Sequence, residues 1–406
     1  MGPQRLLSLC SLLLLSFLIS GCRGLAPEAF LAEADAARPA RSAGSQQTLY
    51  VAMSSGDLIA YRVGERDGSL TQIAHTRPPG MSKLRVALGG ELLLIGGSHR
   101  APLHAVKLDK EGMFVGEPFP LLDNVGADFD VSTAGDLLIV SRLFEIPGRR
   151  NGRTNLSVYR LKADSGSGSL APSAQLDLPV CPNYECIRLF GGVDEHGSRL
   201  YLWQDETECS RASCLTYWRR RVYERSTNEL HPFTDSFASG IRMQGVPVGY
   251  KIFAYKPGEA YNGTARPLDP YVGLFDPPYP SSQSWTCAPR SGPGWRIAHP
   301  GCNVRQLIFD PYSRTLFIAN WDLKLWSFPM RGAEPDASAA TSIAVERFPR
   351  LMVVGDGYLA TVEDRMDSSG ASSLLIRRID RNTGALSDPA SPPLVVSSYI
   401  HAIAAR

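Results

Sequence analysis

Seven short apolar stretches recur along residues 48–406, and this repetition limits the folds open to the chain more than any other feature. They are TLYVAM from Thr48, ELLLIG from Glu91, DLLIVS from Asp136, RLYLWQ from Arg199, YKIFAY from Tyr250, TLFIAN from Thr315 and YLATVE from Tyr358. After each comes a loop and a second, alternating stretch: LIAYRV, LHAVKL, LSVYRL, RRVYER, YVGLF, LKLWSF and LLIRRI. Apolar residues at a period of two, bounded by turn residues, specify strand and not helix. Gly 37 and Pro 30 supply the turns that so many strands need. In several units a Gly-x-Leu-like turn leads into a third strand, at Gly68-Ser69-Leu70, Gly112-Met113-Phe114, Gly168-Ser169-Leu170 and Gly384-Ala385-Leu386.

One more strand precedes each element: KLRVAL from Lys83, DFDVST from Asp128, RLFGGV from Arg188, RMQGVP from Arg242, NVRQLIF from Asn303, RLMVV from Arg350 and HAIAA from His401. The last has no element after it, and the element at Thr48 has no strand before it. Both gaps close if the C-terminal strand pairs with the N-terminal blade, which also removes the free edges of a linear array. The expected fold is therefore an all-β, seven-bladed β-propeller over residues 48–406, closed in that way. A pair of β-sandwiches would not repeat seven times, and β-helix coils are much shorter.

The N-terminus reads as an export signal. Arg5 supplies the positive charge, and Leu6 to Leu18 form an apolar stretch too short to span a bilayer comfortably. It ends in Ile19-Ser20-Gly21-Cys22, the pattern of a bacterial lipobox, so residues 1–21 are expected to be a lipoprotein signal peptide with Cys22 as the lipidated residue. Two or more acyl chains there would hold the protein stably on a membrane. Residues 22–47, rich in Ala, Ser, Arg and Pro, read as a flexible tether reaching about 25–30 Å. Arg23 is not the Asp associated with inner-membrane retention in some bacteria, so the outer membrane of the cell envelope is the expected location.

Six cysteines remain beyond Cys10 and Cys22. An even number in an oxidising compartment predicts disulfides, paired within single loops as Cys181–Cys186, Cys209–Cys214 and Cys287–Cys302. A zinc site from the first four is the competing arrangement, but its spacing is slightly wide and its compartment wrong, so no metal is expected. The net charge of +2, without a basic run, gives no reason to expect nucleic acid. No nucleophile elbow, zinc-protease, phosphate-loop or EF-hand motif is present, and no cofactor is expected.

The unit LYVAMSSGDLIAYRVGERDGSLTQIA at residues 49–74 resembles the lactonase family of seven-bladed propellers, typified by 6-phosphogluconolactonase. RRIDRNTGALSD at 377–388 and LFIANWDLKLWSF at 316–328 are similar to its later blades. The resemblance implies the propeller fold over residues 48–406. It rests on repeat pattern and not on a catalytic signature. Family enzymes acting on phosphorylated sugar lactones work in the cytosol, which an exported, disulfide-bonded chain does not share. Fold alone does not transfer function.

Aligning the seven inner strands puts one polar residue per blade at the channel mouth: Lys83, Asp128, Arg188, Arg242, Asn303, Arg350 and His401. Four cations against one carboxylate in a funnel would attract a small anionic ligand, a carboxylate or phosphate, with Arg offering bidentate geometry. The plain alternative is a wet mouth whose charges satisfy one another, Asp128 pairing with Lys83 or Arg188. Loops after the second strands add His99, Arg142, Glu206, Lys256, Asp322, Glu363 and Asp364. A lactone hydrolase needs a base and an oxyanion partner, for which His401 with Glu363 or His99, and Arg350 or Arg188, are the candidates.

The long loops and the predicted disulfides gather on the same face, with Tyr184, Tyr261, Tyr279, Trp285, Trp295 and Trp321 among them. Rigid repeat folds build recognition surfaces in this way. The leading expectation is thus an envelope protein, anchored to the membrane through Cys22, that binds a ligand or protein partner through its looped face. The alternative is a lactonase-like hydrolase of an anionic sugar lactone.

Overall fold

The computed structural model describes residues 47–406 with interruptions. Side chains are described over 47–98, 101–125, 129–132, 135–142, 155–162, 170–177, 223–231, 306–319, 323–331, 335–336, 338–347, 349–363, 371–389 and 391–406; the remaining strands named below are described by backbone pairing alone. The signal peptide, Cys22 and the tether up to residue 46 lie outside the described residues.

The described strands pair antiparallel into seven sheets. From inner to outer strand, the first sheet runs Ile400–Ala405, Thr48–Met53, Leu58–Val63, Leu70–Thr76, and the second Lys83–Ala87, Leu92–Gly96, Leu103–Leu108, Phe114–Leu122. The third runs Phe129–Val131, Leu137–Glu145, Gly152–Arg160, Pro172–Leu178. In the fourth, Arg199–Cys209 and Cys214–Glu224 form a long hairpin. Ile187–Leu189 and Asp194–His196 share its inner edge, and Glu229–Leu230 and Asp235–Ala238 share its outer edge. The fifth runs Gln244–Val248, Lys251–Tyr255, Tyr271–Phe275, Gln283–Thr286. The sixth runs Val304–Asp310, Thr315–Asn320, Lys324–Arg331, the last flanked by Glu334–Pro335 and Thr341–Ala344. The seventh is Pro349–Gly355, Tyr358–Asp364, Ser372–Arg378, Leu394–Val396.

Several of these strands coincide with the stretches read from sequence, because alternation fixes which face of each strand is buried. The C-terminal strand pairs with Thr48–Met53 in the register Leu49↔Ala405, Val51↔Ile403 and Ala52↔Ala402. The architecture is an all-β β-propeller.

Apolar residues of successive sheets meet face to face. Leu49, Val51 and Ile403 pack with Tyr358, Ala360 and Val362 between the seventh and first sheets. Tyr50, Ala52 and Leu58 pack with Leu84, Leu93 and Ile95 between the first and second. Leu92, Leu94 and Leu103 meet Phe129, Leu138 and Val140 between the second and third. Leu137 and Ile139 meet Tyr223 at the third and fourth, and Phe317 and Ala319 meet Met352 and Leu359 at the sixth and seventh. A strand exposing only one apolar face would leave half of this surface in water. Stacking sheet on sheet buries both faces of each central strand, which is why these strands read as nearly continuous apolar runs.

The glycine turns latch one sheet to the one before it. Asp109 Oδ1 accepts the backbone N–H of Glu111 at 3.0 Å and of Met113 at 2.8 Å, and so shapes the turn. Gly112, at φ +82°, then sits so close to Thr48 and Tyr50 that a Cβ would overlap the Thr48 side chain. Tyr50 Oη donates to the Gly112 carbonyl at 3.0 Å, and Thr48 Oγ1 to that of Glu111 at 3.3 Å. Asp380 builds the same turn through the N–H groups of Asn382 (2.8 Å) and Thr383 (3.0 Å), and Gly384, at φ +69°, packs on Thr315. Gly168, the equivalent in the third sheet, lies outside the described residues.

Candidate functional site

Strand register sets the start of each inner strand beside the end of the second strand. Lys83 faces Gly96, Pro349 faces Glu363, Val304 faces Asn320, and Ile400 faces Met53. The connections from second to third strand therefore leave from the same end, which is the mouth end.

Two hairpins are extended there. In the third sheet, Leu137–Glu145 pairs with Gly152–Arg160 throughout, while the described part of the inner strand reaches Phe129↔Val140, residues 126–128 lying outside the described residues. Five pairs run on past it, about 17 Å at roughly 3.4 Å per residue. In the fourth sheet, the described inner edge runs to Ile187↔Glu206 and the described outer edge to Ala238↔Tyr217, with 179–186 and 239–243 outside the described residues. Thr207↔Thr216, Glu208↔Leu215 and Cys209↔Cys214 continue beyond both, about 10 Å further. The matching strands of the second sheet, Leu92–Gly96 and Leu103–Leu108, have 5 and 6 residues.

The mouth cations with described side chains are engaged with the neighbouring sheet. Lys83 Nζ donates to the carbonyl of Phe129 and lies 5.2 Å from the centre of its ring. Arg350, at a bulge between Pro349 and Leu351, donates through Nη2 to the carbonyl of Ile400, and its guanidinium is 3.7 Å from the centre of the Tyr399 ring. His401 is exposed and meets Tyr399 edge-on at 5.3 Å. Arg188 is in the strand Ile187–Leu189 opposite Asp205, its side chain outside the description. Asp128, Arg242, Asn303, His99, Lys256 and Asp322 lie outside the described residues, as do Tyr184, Tyr261, Tyr279, Trp295 and Trp321. The structure thus brings Arg350 and His401 together around Tyr399, and places Lys83 on the other side of the Ile400–Ala405 strand, toward the third sheet.

Arg142 lies in the strand Leu137–Glu145, Glu206 in Arg199–Cys209 and Asp364 with Glu363 in Tyr358–Asp364, not in the loops after them, which corrects the placement expected from sequence; Glu363 is the informative case. Its carboxylate is 3.0 Å from Arg377 Nη2, and both side chains are 3% exposed. Arg377 Nη1 also donates to Thr361 Oγ1 at 2.6 Å. Burial pushes the Glu363 carboxyl above its ordinary range, while Arg377 and Arg347 work in the opposite direction. A base needs access to water and substrate, and a carboxylate enclosed with its own guanidinium has neither. Arg142 lies 5.5 Å from the centre of the Tyr159 ring.

The sequence reading also missed an ion pair between two inner strands. Arg85 Nε donates to Asp130 Oδ1 at 2.8 Å, and Asp130, 3% exposed, also accepts the N–H of Val131 at 2.9 Å. Burial raises the cost of its charge, yet Arg85 and Lys83 outweigh it and hold the carboxyl below its usual range. The signal was available: aligning the two inner strands puts Arg85 and Asp130 in the same row, two residues beyond Lys83 and Asp128. Tyr399 was missed because it precedes the last inner strand, where no long loop directed attention. Among the described residues no group of three His, Cys, Asp or Glu converges as a metal site.

No family model and no curated protein sequence matches the chain. Solved structures similar to it include AztD from Citrobacter koseri, 11% identical over 89% of this chain and 98% of its own, with a TM-score of 0.47. Hydrazine synthase from Kuenenia stuttgartiensis is 10% identical over 78% of this chain and 89% of its own, with a TM-score of 0.46. A putative 6-phosphogluconolactonase from Bacteroides fragilis is 14% identical over 86% of this chain and 82% of its own, with a TM-score of 0.31. Likeness at this level carries no argument about activity, and the propeller assignment rests on this chain's own strand pairing.

Proposed function

We propose that this chain is an exported, lipid-anchored β-propeller of seven blades, closed by its C-terminal strand, that recognises an envelope ligand or protein partner through its looped mouth end. The Ile19-Ser20-Gly21-Cys22 sequence supports the anchor, and the seven sheets with the Ile400–Ala405 pairing support the closed ring. The observation that carries recognition is the pair of extended hairpins, at Leu137–Arg160 and Arg199–Glu224, both leaving from the mouth end. Long hairpins gathered at one end of a rigid scaffold are where such folds carry recognition surfaces.

The hydrolase reading is weaker, because Lys83 and Arg350 hold neighbouring strands and Glu363 is enclosed with Arg377. Two measurements test the proposal. Cys22→Ser should move the protein from the membrane fraction to the soluble fraction of the cell. Photo-crosslinking groups at Leu215 or Phe144 should capture one discrete envelope species that a group at Gln72, on the outer strand of the first sheet, does not. Hydrolysis of gluconolactone above background that disappears in Arg350→Ala would overturn the binding reading in favour of catalysis.

A further inference from the structure

Among the described residues, the fourth sheet's hairpin ends in a ribbon of two strands. No described strand pairs with Thr207–Cys209 or with Cys214–Thr216 except these two with each other. Its last pair is Cys209 opposite Cys214, closed by the four residues Ser210-Arg211-Ala212-Ser213. Directly opposed residues of an antiparallel pair have Cα atoms about 4.5–5.5 Å apart, inside the roughly 4.4–6.8 Å that a disulfide spans.

We propose that Cys209 and Cys214 form a cross-strand disulfide that locks the register of this hairpin at the mouth end, where the recognition surface is read. The inference rests on the reading of the chain as exported and of its mouth end as the binding end. As the Sγ–Sγ bond forms, the two thiols give up two protons and two electrons. Exchange with a disulfide-bearing oxidoreductase, or with oxidised glutathione, takes up both and leaves that oxidant as two thiols. Register sets Cys209 directly opposite Cys214, while Cys181, Cys186, Cys287 and Cys302 lie outside the described residues. The cross-link closes a short loop at the far end of one hairpin, so it fixes the tip without tying one sheet to another. Reduction releases the ribbon and leaves the stacked sheets in place.

Peptide mapping tests this on the protein isolated from the envelope, alkylated before any reduction. Trypsin cleaves after Arg199, Arg211 and Arg219, which puts Cys209 and Cys214 on separate peptides, 200–211 and 212–219. The two should travel as one species and separate only on reduction. If Arg211 stays uncut, peptide 200–219 decides equally, by carrying no alkyl group and lacking two hydrogens. Hydrogen exchange at 207–216 should accelerate on reduction, and in Cys209→Ser/Cys214→Ser, with the rest of the protein unchanged. Alkyl groups on Cys209 or Cys214, or a link from either to another cysteine, overturns the proposal. If those two alone are alkylated while the other four are paired, only this inference falls. If all six are alkylated, the export reading falls with it.

Discussion

Arg350 Nη2 donates to the carbonyl oxygen of Ile400, the first residue of the inner strand in the next sheet. Lys83 repeats the arrangement, donating to Phe129 at the start of the inner strand that follows its own. In both, the cation also lies over an aromatic ring of the same neighbour, Tyr399 in one case and Phe129 in the other. Two positions aligned as mouth residues thus clamp a seam between sheets.

Removing either clamp should lower stability. A charge-assisted hydrogen bond and a half-exposed cation–π contact together are worth about 1–2 kcal/mol. Lys83→Ala and Arg350→Ala should each reduce the urea midpoint with an unchanged slope, and Arg350→Lys should recover only part, since it keeps the charge but loses the planar stack. Were these residues ligand cations instead, inorganic phosphate would raise the melting temperature of the wild type and not of the variants.

The glycine latches give a graded comparison. Gly112 and Gly384 combine positive φ with close approach to Thr48 and Thr315, whereas Gly116, at φ +75°, has nothing near its missing Cβ. Gly116→Ala should cost only the backbone term, about 1–2 kcal/mol. Gly112→Ala and Gly384→Ala should cost that and a further 1–3 kcal/mol or so for the overlap. Thermal unfolding of the three variants side by side checks the order.

These latches also show how far the sequence could be read. Gly112-Met113-Phe114 and Gly384-Ala385-Leu386 were legible as turns, because only glycine accepts their backbone and the flanking strands alternate. What the turns touch was not legible, since contact with Thr48 or Thr315 depends on how sheets stack and leaves no local pattern. The same limit applies to the site. Lys83 begins an inner strand and Arg350 is the second residue of one, but whether a charge there faces a ligand or a carbonyl is decided by the neighbouring sheet. Glu363 was expected in a loop, and nothing in its own stretch of sequence shows the guanidinium that encloses it. Here Arg377, on the adjacent strand, lets the strand continue through it.

Asp130 predicts an acid-side loss of stability. Its folded pKa lies below the unfolded value, so the native state binds the proton less readily than the unfolded chain. The contribution is complete above the unfolded pKa of about 3.9 and disappears as pH falls through the lowered folded value. Asp130→Asn should cost about 1–3 kcal/mol at neutral pH, because it leaves Arg85 with a weaker partner. It should also flatten the fall in stability below about pH 4. Urea titrations across that range read both effects, and an unchanged acid limb in the variant would contradict the assignment.

The Ile400–Ala405 strand makes the last test. Ile403 pairs with Val51 and is 7% exposed, within the apolar contact that joins the first sheet to Tyr358, Ala360 and Val362 of the seventh. Ile73, on the outermost strand of the first sheet, is only half-buried. If the last strand of the chain is the inner strand on which two sheets meet, Ile403→Ala should cost about 2–4 kcal/mol, since the cavity opens between two rigid sheets that cannot collapse into it. Ile73→Ala, at a rim free to relax, should cost about 1 kcal/mol. The comparison separates a structural inner strand from a loosely attached terminus: equal losses at the two sites would mean that residues 400–405 contribute no more to the fold than the sheet's outer edge does.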